Sequence, residues 1–592
     1  MFKFIKNNYP LILIIILGLF LRFWGVFFDW PLSSSVGDEI KIISGSLKML
    51  GDFNFLPHSN YGTYFPLMYY LYLPGIIAYA AFLFVSGQAH DILDIKNSVI
   101  LDLGNWLMIA RFISVLLGVG SVYLIYLISK KIFNNKAISY GAALFLALSP
   151  FNVVLSHFGR PWGPQVFFIL LALYFFLRFW KIPAQPPSIK IIFFTAVLIL
   201  SSFAVNIVGA LAYPLWLLVV FVYYCELKWR RFFVFLKSRQ SILSHLFLII
   251  GVVIIFWISR DALKVYNVAW GIYFTAISGE AVQEVSPVWQ LPWWGKTGLQ
   301  FNILIQFETV VFFLLVPALW LLYKNNKPNF YFTLLSFLGF FVALGPPLMD
   351  SSRPRYLSLL IPFMILPAAY LAGNLLERIR KNNFFFALLV IVIFMAPNLF
   401  INLKYDYLLS RGSTKLSLYS WIKNNLKPGE KILMVDGYFL QDLAPDKQLM
   451  ALIKQYSPGY YSSRLTFLDN MPFAPGQSYG IYSNGFVCEW PKEVIERLEF
   501  DYVAIVDAGI GSIPSLNYFK ICDSIPVYKL AESQLVFSEK TAPFYNYRFG
   551  RGITIEPYVH YSIESGLTIE SYVPLWQIKK LGKQLSIYKV SP

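Results

Sequence analysis

The chain runs again and again through apolar stretches long enough to cross a lipid bilayer, and this decides what it can fold into. The first extends from Leu11 to about Phe28, behind a start that carries Lys3 and Lys6. Further runs lie near 105–128, 138–156, 164–180, 190–208, 209–225, 243–259, 303–323, 329–349, 355–376 and 383–403. A hydrocarbon core takes roughly 20 apolar residues of helix, and only helices or closed barrels satisfy their backbone inside it. The sequence therefore predicts a polytopic α-helical membrane protein with 11 transmembrane helices, the first retained rather than cleaved. Composition agrees: 57% of residues are hydrophobic and 14% are charged, against about 25% charged in soluble domains. A disordered or collagen-like chain is excluded. Three cysteines, Cys225, Cys488 and Cys522, are too few for a disulfide scaffold or a four-cysteine zinc site.

Loop charge orients the spans, because Lys and Arg collect in short cytoplasmic loops. The N-terminus, 130–136, 178–190, 226–239, 324–327 and 377–381 hold 18 Lys/Arg and only Glu226 and Glu377 as acids. The opposite side up to residue 403 holds 10 basic and 12 acidic residues. The N-terminus is thus expected in the cytoplasm. One segment, 65–85, resembles a span in hydropathy but would break this parity. Pro66, Pro74 and Gly75 are expected to divide it into short helices lying in the outer interface or dipping in part way, with a true span as the alternative.

After residue 403 no stretch is long enough to span. SLYSWIKNNLKPGEKILMVD reads as an amphipathic helix, a Pro-Gly turn and a buried strand, and EVIERLEFDYVAIVDAG repeats the pattern. The chain thus divides into a membrane domain, 1–403, and a soluble α/β domain, 404–592, outside the cytoplasm. Cys488 and Cys522 lie in the latter, either as a disulfide or as two thiols.

The first outer loop, 29–104, carries the most chemistry. Asp38 and Glu39 stand side by side before the amphipathic helix IKIISGSLKML, with His58, Tyr61 and Tyr64 downstream. Acids at a helix start suit the helix dipole, and a carboxylate at a half-apolar surface can also be tuned as a general base. His157, Arg160 and Trp162 fall in a short outer turn between two spans, and Arg353 and Arg355 open a span on the outer side. These guanidinium groups, with Arg111, are placed where a lipid phosphate would sit. The long loop 260–302 offers Glu280, Glu284 and the cluster VWQLPWWG as a sugar-stacking surface or an interfacial aromatic belt, and Glu308 lies near the outer end of its span. Asp38, Glu39, His58 and Glu280 have metal-ligand chemistry without diagnostic spacing, so no metal site is assigned and a divalent metal ion stays open as a cofactor.

The retained first span, the GDE triplet at 37–39, the amphipathic helix and the proline-interrupted aromatic segment together resemble the GT-C glycosyltransferases. The closer similarity is to the branch of protein O-mannosyltransferases and the lipid A aminoarabinose transferase. ARFISVLLGVGSVYLIYLISKKIF (110–133), SHFGRPWGPQVFFILLALYFF (156–176) and RYLSLLIPFMILPAAYLAG (355–373) carry it further. The resemblance implies an inverting enzyme that moves a sugar from a polyprenyl-phosphate donor to a protein, lipid or glycan acceptor outside the cytoplasm, with no nucleic acid as partner. Asp38 matches the family's catalytic carboxylate, Glu39 its partner, and Arg160 the arginine after the third span. Many relatives carry an acid two positions later, where this chain has Trp162. Arg353 and Arg355 fall where relatives place basic residues facing the lipid phosphate, and Arg111 joins them. His58, Tyr61, Tyr64, His157, Glu280 and Glu284 are the candidates for acceptor or sugar binding. The alternatives are an oligosaccharyltransferase using a lipid-pyrophosphate donor, a non-catalytic membrane scaffold and a lipid-sugar transporter.

Overall fold

The computed structural model describes residues 2–33, 37–56, 66–180, 188–258, 297, 301, 304–305, 308–344, 354–382, 384–435, 443–458, 465, 468–469, 478–483, 487, 490–491, 493–494, 497–507, 534–539, 547–549, 553–555, 579–580 and 584–590. Cys488 and Cys522, and with them the disulfide question, lie outside these residues.

The helices in chain order are α1 (Phe2–Trp24), α2 (Gly37–Gly51), α3 (Pro66–Val85), α4 (Ile92–Leu101), α5 (Leu103–Phe133), α6 (Lys136–Ala147), α7 (Pro150–Ser156), α8 (Trp162–Trp180), α9 (Ile189–Val205), α10 (Ala212–Val219), α11 (Trp229–Leu236), α12 (Arg239–Ile258), α13 (Thr309–Asn325), α14 (Lys327–Leu344), α15 (Ile361–Asn382) and α16 (Phe384–Ser410). Among the described residues, 7 helical stretches are long and apolar enough to cross a membrane, or 8 if the bent pair α6–α7 is one span. The protein is thus a multi-pass membrane protein.

α5 is the spine. Its 31 residues pack against α1, α3, α6 and α8. Small side chains let these neighbours approach closely: a Cβ on Gly120 would lie 2.7 Å from the Phe167 ring of α8. Without a hydrophobic drive between helices in lipid, such close packing holds them together. At the end with Lys130 and Lys131, Asn134 takes a left-handed conformation (φ 51°) and its N–H donates to the Lys130 carbonyl, closing the helix.

Two prolines behave contrary to expectation. Segment 65–85 is corrected from short interfacial pieces to one helix of 20 residues, α3, long and apolar enough to cross. Pro66 stands at the first helical position, where its missing N–H costs nothing, and Pro74 is accommodated within the helix. Gly75 is a contact point rather than a breaker, since a Cβ there would lie 2.5 Å from Ile109 of α5.

Conversely, the run 138–156, expected as one span, is bent by 54° between α6 and α7. Ser149 caps α7, its hydroxyl accepting from the Asn152 N–H at 3.3 Å, and Pro150 starts the new helix. The break strands the last carbonyls of α6. Arg22 of α1 donates to the Leu146 and Ala147 carbonyls at 3.0 and 3.2 Å and to Asn152 Oδ1 at 2.6 Å. Asn402 Nδ2 of α16 donates to the Leu148 carbonyl at 2.9 Å. A buried cation inside an apolar bundle is tolerated because the bend supplies its acceptors.

Beyond α16 come α17 (Thr414–Asn425) and α18 (Lys447–Tyr456) with strands β1 (Lys431–Val435), β2 (Ala444–Pro445), β3 (Ser478–Ser483), β4 (Tyr502–Asp507), β5 (Gln534–Glu539), β6 (Tyr547–Phe549), β7 (Ile553–Ile555) and β8 (Gln584–Lys589). Six of them form one sheet in the order β2-β3-β1-β4-β8-β5, with β6 and β7 pairing separately. β1 pairs parallel with β3 and β4, and β8 runs antiparallel between β4 and β5. Along β1 the side chains alternate: Ile432 and Met434 pack with Leu418 and Ile422 of α17, while Leu433 packs with Leu449 and Ile453 of α18. A strand covered on both faces is an unbroken apolar run, as ILMV (432–435) is.

Arg22→Met is expected to lower stability in detergent by roughly 2–4 kcal/mol, because it removes the buried donor of the Ala147 carbonyl and Asn152 Oδ1 and leaves the Leu146 carbonyl to backbone donors such as the Ser149 N–H. The thermal unfolding midpoint measures it, and an unchanged midpoint would contradict the role given to Arg22.

Candidate functional site

α2 starts at Gly37, so Asp38 and Glu39 occupy its first turn. Glu39 is fully buried. Its carboxylate accepts from Arg111 of α5: Nη2 to Oε2 at 2.8 Å, and Nε to Oε1 and Oε2 at 3.2 and 3.3 Å. Gly159 N–H donates to Oε1 at 2.6 Å. The remaining side of Arg111, Nη1, donates to the Phe28 carbonyl at 2.6 Å and the Val26 carbonyl at 3.1 Å. One guanidinium thus ties the acid-bearing helix to the exit of α1, and one carboxylate ties α2 to the turn between α7 and α8.

That turn, 157–160, presses on α5. A Cβ on Gly159 would lie 2.5 Å from the Ala110 Cβ, so glycine is what allows the backbone N–H to reach Glu39. Phe158 sits under Arg111, whose guanidinium carbon lies 6.0 Å from the ring centroid. His157 is fully buried behind the turn, with Nε2 3.1 Å from the Leu21 carbonyl and 3.3 Å from Asp406 Oδ1 of α16. Burial, with the Arg22 and Arg111 cations nearby, pushes His157 down to about 3, so the imidazole is neutral and acts as a hydrogen-bonding group.

The next residue, Arg160, is buried at the mouth of α8, which opens with Trp162. Arg355, from the short 3₁₀ turn Pro354–Leu359 ahead of α15, lays its guanidinium on the Trp162 ring, 4.9 Å from the centroid. Trp162 thus offers a cation an aromatic face.

The structure accordingly gathers Glu39, Arg111, His157, Arg160 and Arg355 around the 157–162 turn. Two roles expected from sequence are corrected. Arg111 does not stand open to a phosphate, since its N–H groups go to Glu39 and two carbonyls. His157 faces the interior rather than a sugar. Glu308 works at the α6–α7 break, where its Oε1 accepts from the Ser149 hydroxyl at 2.5 Å. His58, Tyr61, Tyr64, Glu280, Glu284, Arg353 and the side chain of Asp38 lie outside the described residues and atoms. Among the described residues no group of three or more His, Cys, Asp or Glu could hold a metal ion. Sequence reading missed Asp406 and the Gly159 N–H. An acid within an otherwise apolar helix was a signal for Asp406; a backbone donor leaves none.

Residues 98–257 match the family described as dolichyl-phosphate-mannose-protein mannosyltransferase. The resemblance to GT-C membrane glycosyltransferases is borne out by that match. No curated protein matches the chain by sequence. Among solved structures, ArnT from Cupriavidus metallidurans bound to undecaprenyl phosphate is 14% identical, with a TM-score of 0.47 over 87% of this chain and 97% of that one. The Archaeoglobus fulgidus oligosaccharyltransferase in complex with Zn and sulfate is 14% identical, with a TM-score of 0.44 over 84% and 68% of the two chains. The same organism's AglB with an inhibitory peptide and a dolichol-phosphate is 12% identical, with a TM-score of 0.45 over 85% and 70%.

Arg111→Ala is expected to cost about 3–5 kcal/mol, because it leaves the Glu39 carboxylate buried and unpaired. The double variant with Glu39→Ala should cost less than the sum of the two single changes, by about 1 kcal/mol or more. Denaturation of all four proteins in mixed micelles measures the cycle, and strict additivity would deny the pairing.

Proposed function

We propose that the chain is an inverting glycosyltransferase that moves a sugar from a polyprenyl-phosphate donor to an acceptor hydroxyl or amine on the extracytoplasmic face of the membrane. The observation that carries this reading is the Glu39 carboxylate clasped between Arg111 and the Gly159 N–H, which brings the acid-bearing helix against the arginine-bearing turn. The family matched over 98–257 takes its name from a dolichyl-phosphate sugar, the same donor class.

In this reading the neighbouring acids divide the work. Glu39 is spent on the frame, which leaves Asp38 as the general base that removes the acceptor proton. The acceptor heteroatom attacks the anomeric carbon, the carbon–oxygen bond to phosphate breaks, and the polyprenyl phosphate leaves with the bonding electrons. Arg160 and Arg355, with Arg353 two positions before Arg355, stabilise that leaving phosphate. A single carboxylate base fits one displacement with inversion, since retention would call for a nucleophile as well. Arg111 acts through Glu39 and the Phe28 carbonyl rather than on the donor.

The reading includes eleven crossings, the N-terminus in the cytoplasm and the sheet region outside. Parity supports it: the lysine-bearing N-terminus and the basic loop 130–136 share a side only if an even number of helices crosses between them. α1 and α5 supply two, so in this reading α3, which packs against α2 and α5, stays on the outer side even though its length and hydropathy would let it cross.

The test is transfer of radiolabelled sugar from a panel of polyprenyl-phosphate donors in outward-accessible membranes. Asp38→Asn should abolish transfer while polyprenyl-phosphate binding stays measurable, and full activity in that variant would sink the assignment. Arg355→Ala should raise the donor KM about tenfold or more, in line with loss of one charge-assisted hydrogen bond of about 1.5–3 kcal/mol.

A further inference from the structure

The exit of α1 is held by two anchors one residue apart. Arg111, which grips Glu39, also grips the Phe28 carbonyl at 2.6 Å. The next residue, Asp29, is buried, and both of its carboxylate oxygens are used by one residue of the distant sheet region. Ser413 N–H donates to Oδ1 at 2.5 Å and the Ser413 hydroxyl donates to Oδ2 at 2.6 Å. Ser413 is the N-cap of α17, its hydroxyl oxygen also accepting from the Lys415 N–H at 3.1 Å. The carboxylate therefore sits at the start of the helix that packs on β1, where the helix dipole and the cap both favour a negative charge.

The backbone is shaped for this contact. Asp29 takes φ 55° and Gly412 φ 65°, both in the left-handed region, and a Cβ on Gly412 would stand 3.1 Å from Asp29 Oδ1. The turn that follows is pinned to α5. Leu32 N–H donates to the Asp29 carbonyl at 2.7 Å, and Trp30 Nε1 donates to Asn105 Oδ1 at 2.8 Å. The same corner of the chain touches the other half of the site. α16, which leads into Gly412, places Asp406 3.3 Å from His157 behind the arginine-bearing turn.

We propose that Asp29 is a positioning residue: its carboxylate, clamped on the N-cap of α17, fixes the acid-bearing helix α2 relative to the six-stranded sheet region. The sheet region thereby sets where Asp38, nine positions further on, stands before the donor phosphate. An acceptor docked on that region would be delivered to the base through a rigid corner rather than a free hinge. The catalytic consequence rests on the glycosyltransferase reading; the mechanical coupling does not.

The test uses the full chain in lipid nanodiscs, with nitroxide labels at Gly51→Cys on α2 and Asn424→Cys on α17. Both sites are exposed, and the native Cys225, Cys488 and Cys522 are replaced by Ser. Wild type and Ser413→Thr, which keeps the capping hydroxyl, should give one narrow distance. Asp29→Ala should lose that narrow distance, and Ser413→Ala should broaden it. In the transfer assay Asp29→Ala should lower kcat by about 100-fold with the donor KM little changed, as misplacement of a base predicts. Distances in Asp29→Ala and Ser413→Ala that match wild type would overturn the proposal. If Asp29→Ala yields no monodisperse protein, the contrast between Ser413→Ala and Ser413→Thr decides alone. Altered distances beside an inactive wild type would uphold the coupling and strike the transferase reading instead.

Discussion

The buried pair of Glu39 and Arg111 is the constraint on which the outer end of the bundle depends. Neither charge can be sequestered alone, since an unpaired ion in an apolar interior costs several kcal/mol. Each must meet the other and then fill its remaining sites. Arg111 does so with the Val26 and Phe28 carbonyls, and Glu39 with the Gly159 N–H. Four separate pieces of chain, α2, α5, the exit of α1 and the 157–160 turn, are fixed by one electrostatic requirement. Side chains at the membrane boundary have little else to hold them, because apolar contact with lipid is as favourable as contact with another helix.

Two acids in succession can serve different ends because a helix points consecutive side chains about 100° apart. Glu39 faces α5 and is consumed by the frame, and the proposed function assigns the chemistry to its neighbour in the first turn. The arginines divide in the same way. Arg111 is saturated by carbonyls and a carboxylate, while Arg355 rests on the flat face of Trp162. An aromatic face supports a guanidinium through its ring quadrupole, a contact of a different kind from the carboxylate and carbonyls that hold Arg111.

Much of the fold was readable in the sequence because hydropathy acts over whole segments. The long apolar runs became helices, and KILMV became the central strand. What failed was punctuation. Pro74 looked like a breaker and is not one, whereas Pro150 ends one helix and begins another. The difference lies in partners far along the chain: the carbonyls freed before Pro150 meet Arg22 and Asn402, and no local rule reveals them. The site shows the same division. The acid pair stood out beside a membrane span, but the partner of Glu39 lies 72 positions away. Gly159 contributes only its backbone, and the use of Asp29 by Ser413 spans 384 positions.

The position of Arg22 has a consequence for how the protein is made. Its principal acceptors, the carbonyls at the α6–α7 bend, lie 124 and 125 residues downstream. At ordinary synthesis speeds of about 5–20 residues per second, the first helix waits roughly 6–25 s before those acceptors exist. During that interval the Gly18 carbonyl of the same helix, 2.9 Å from Nη1, is its one protein acceptor among those described, and lipid headgroups, water or the insertion machinery must satisfy the rest of the guanidinium. The first helix is therefore a poor candidate for early release into lipid and a good one for retention until α6 and α7 arrive. The order of assembly of this bundle is written into a single side chain.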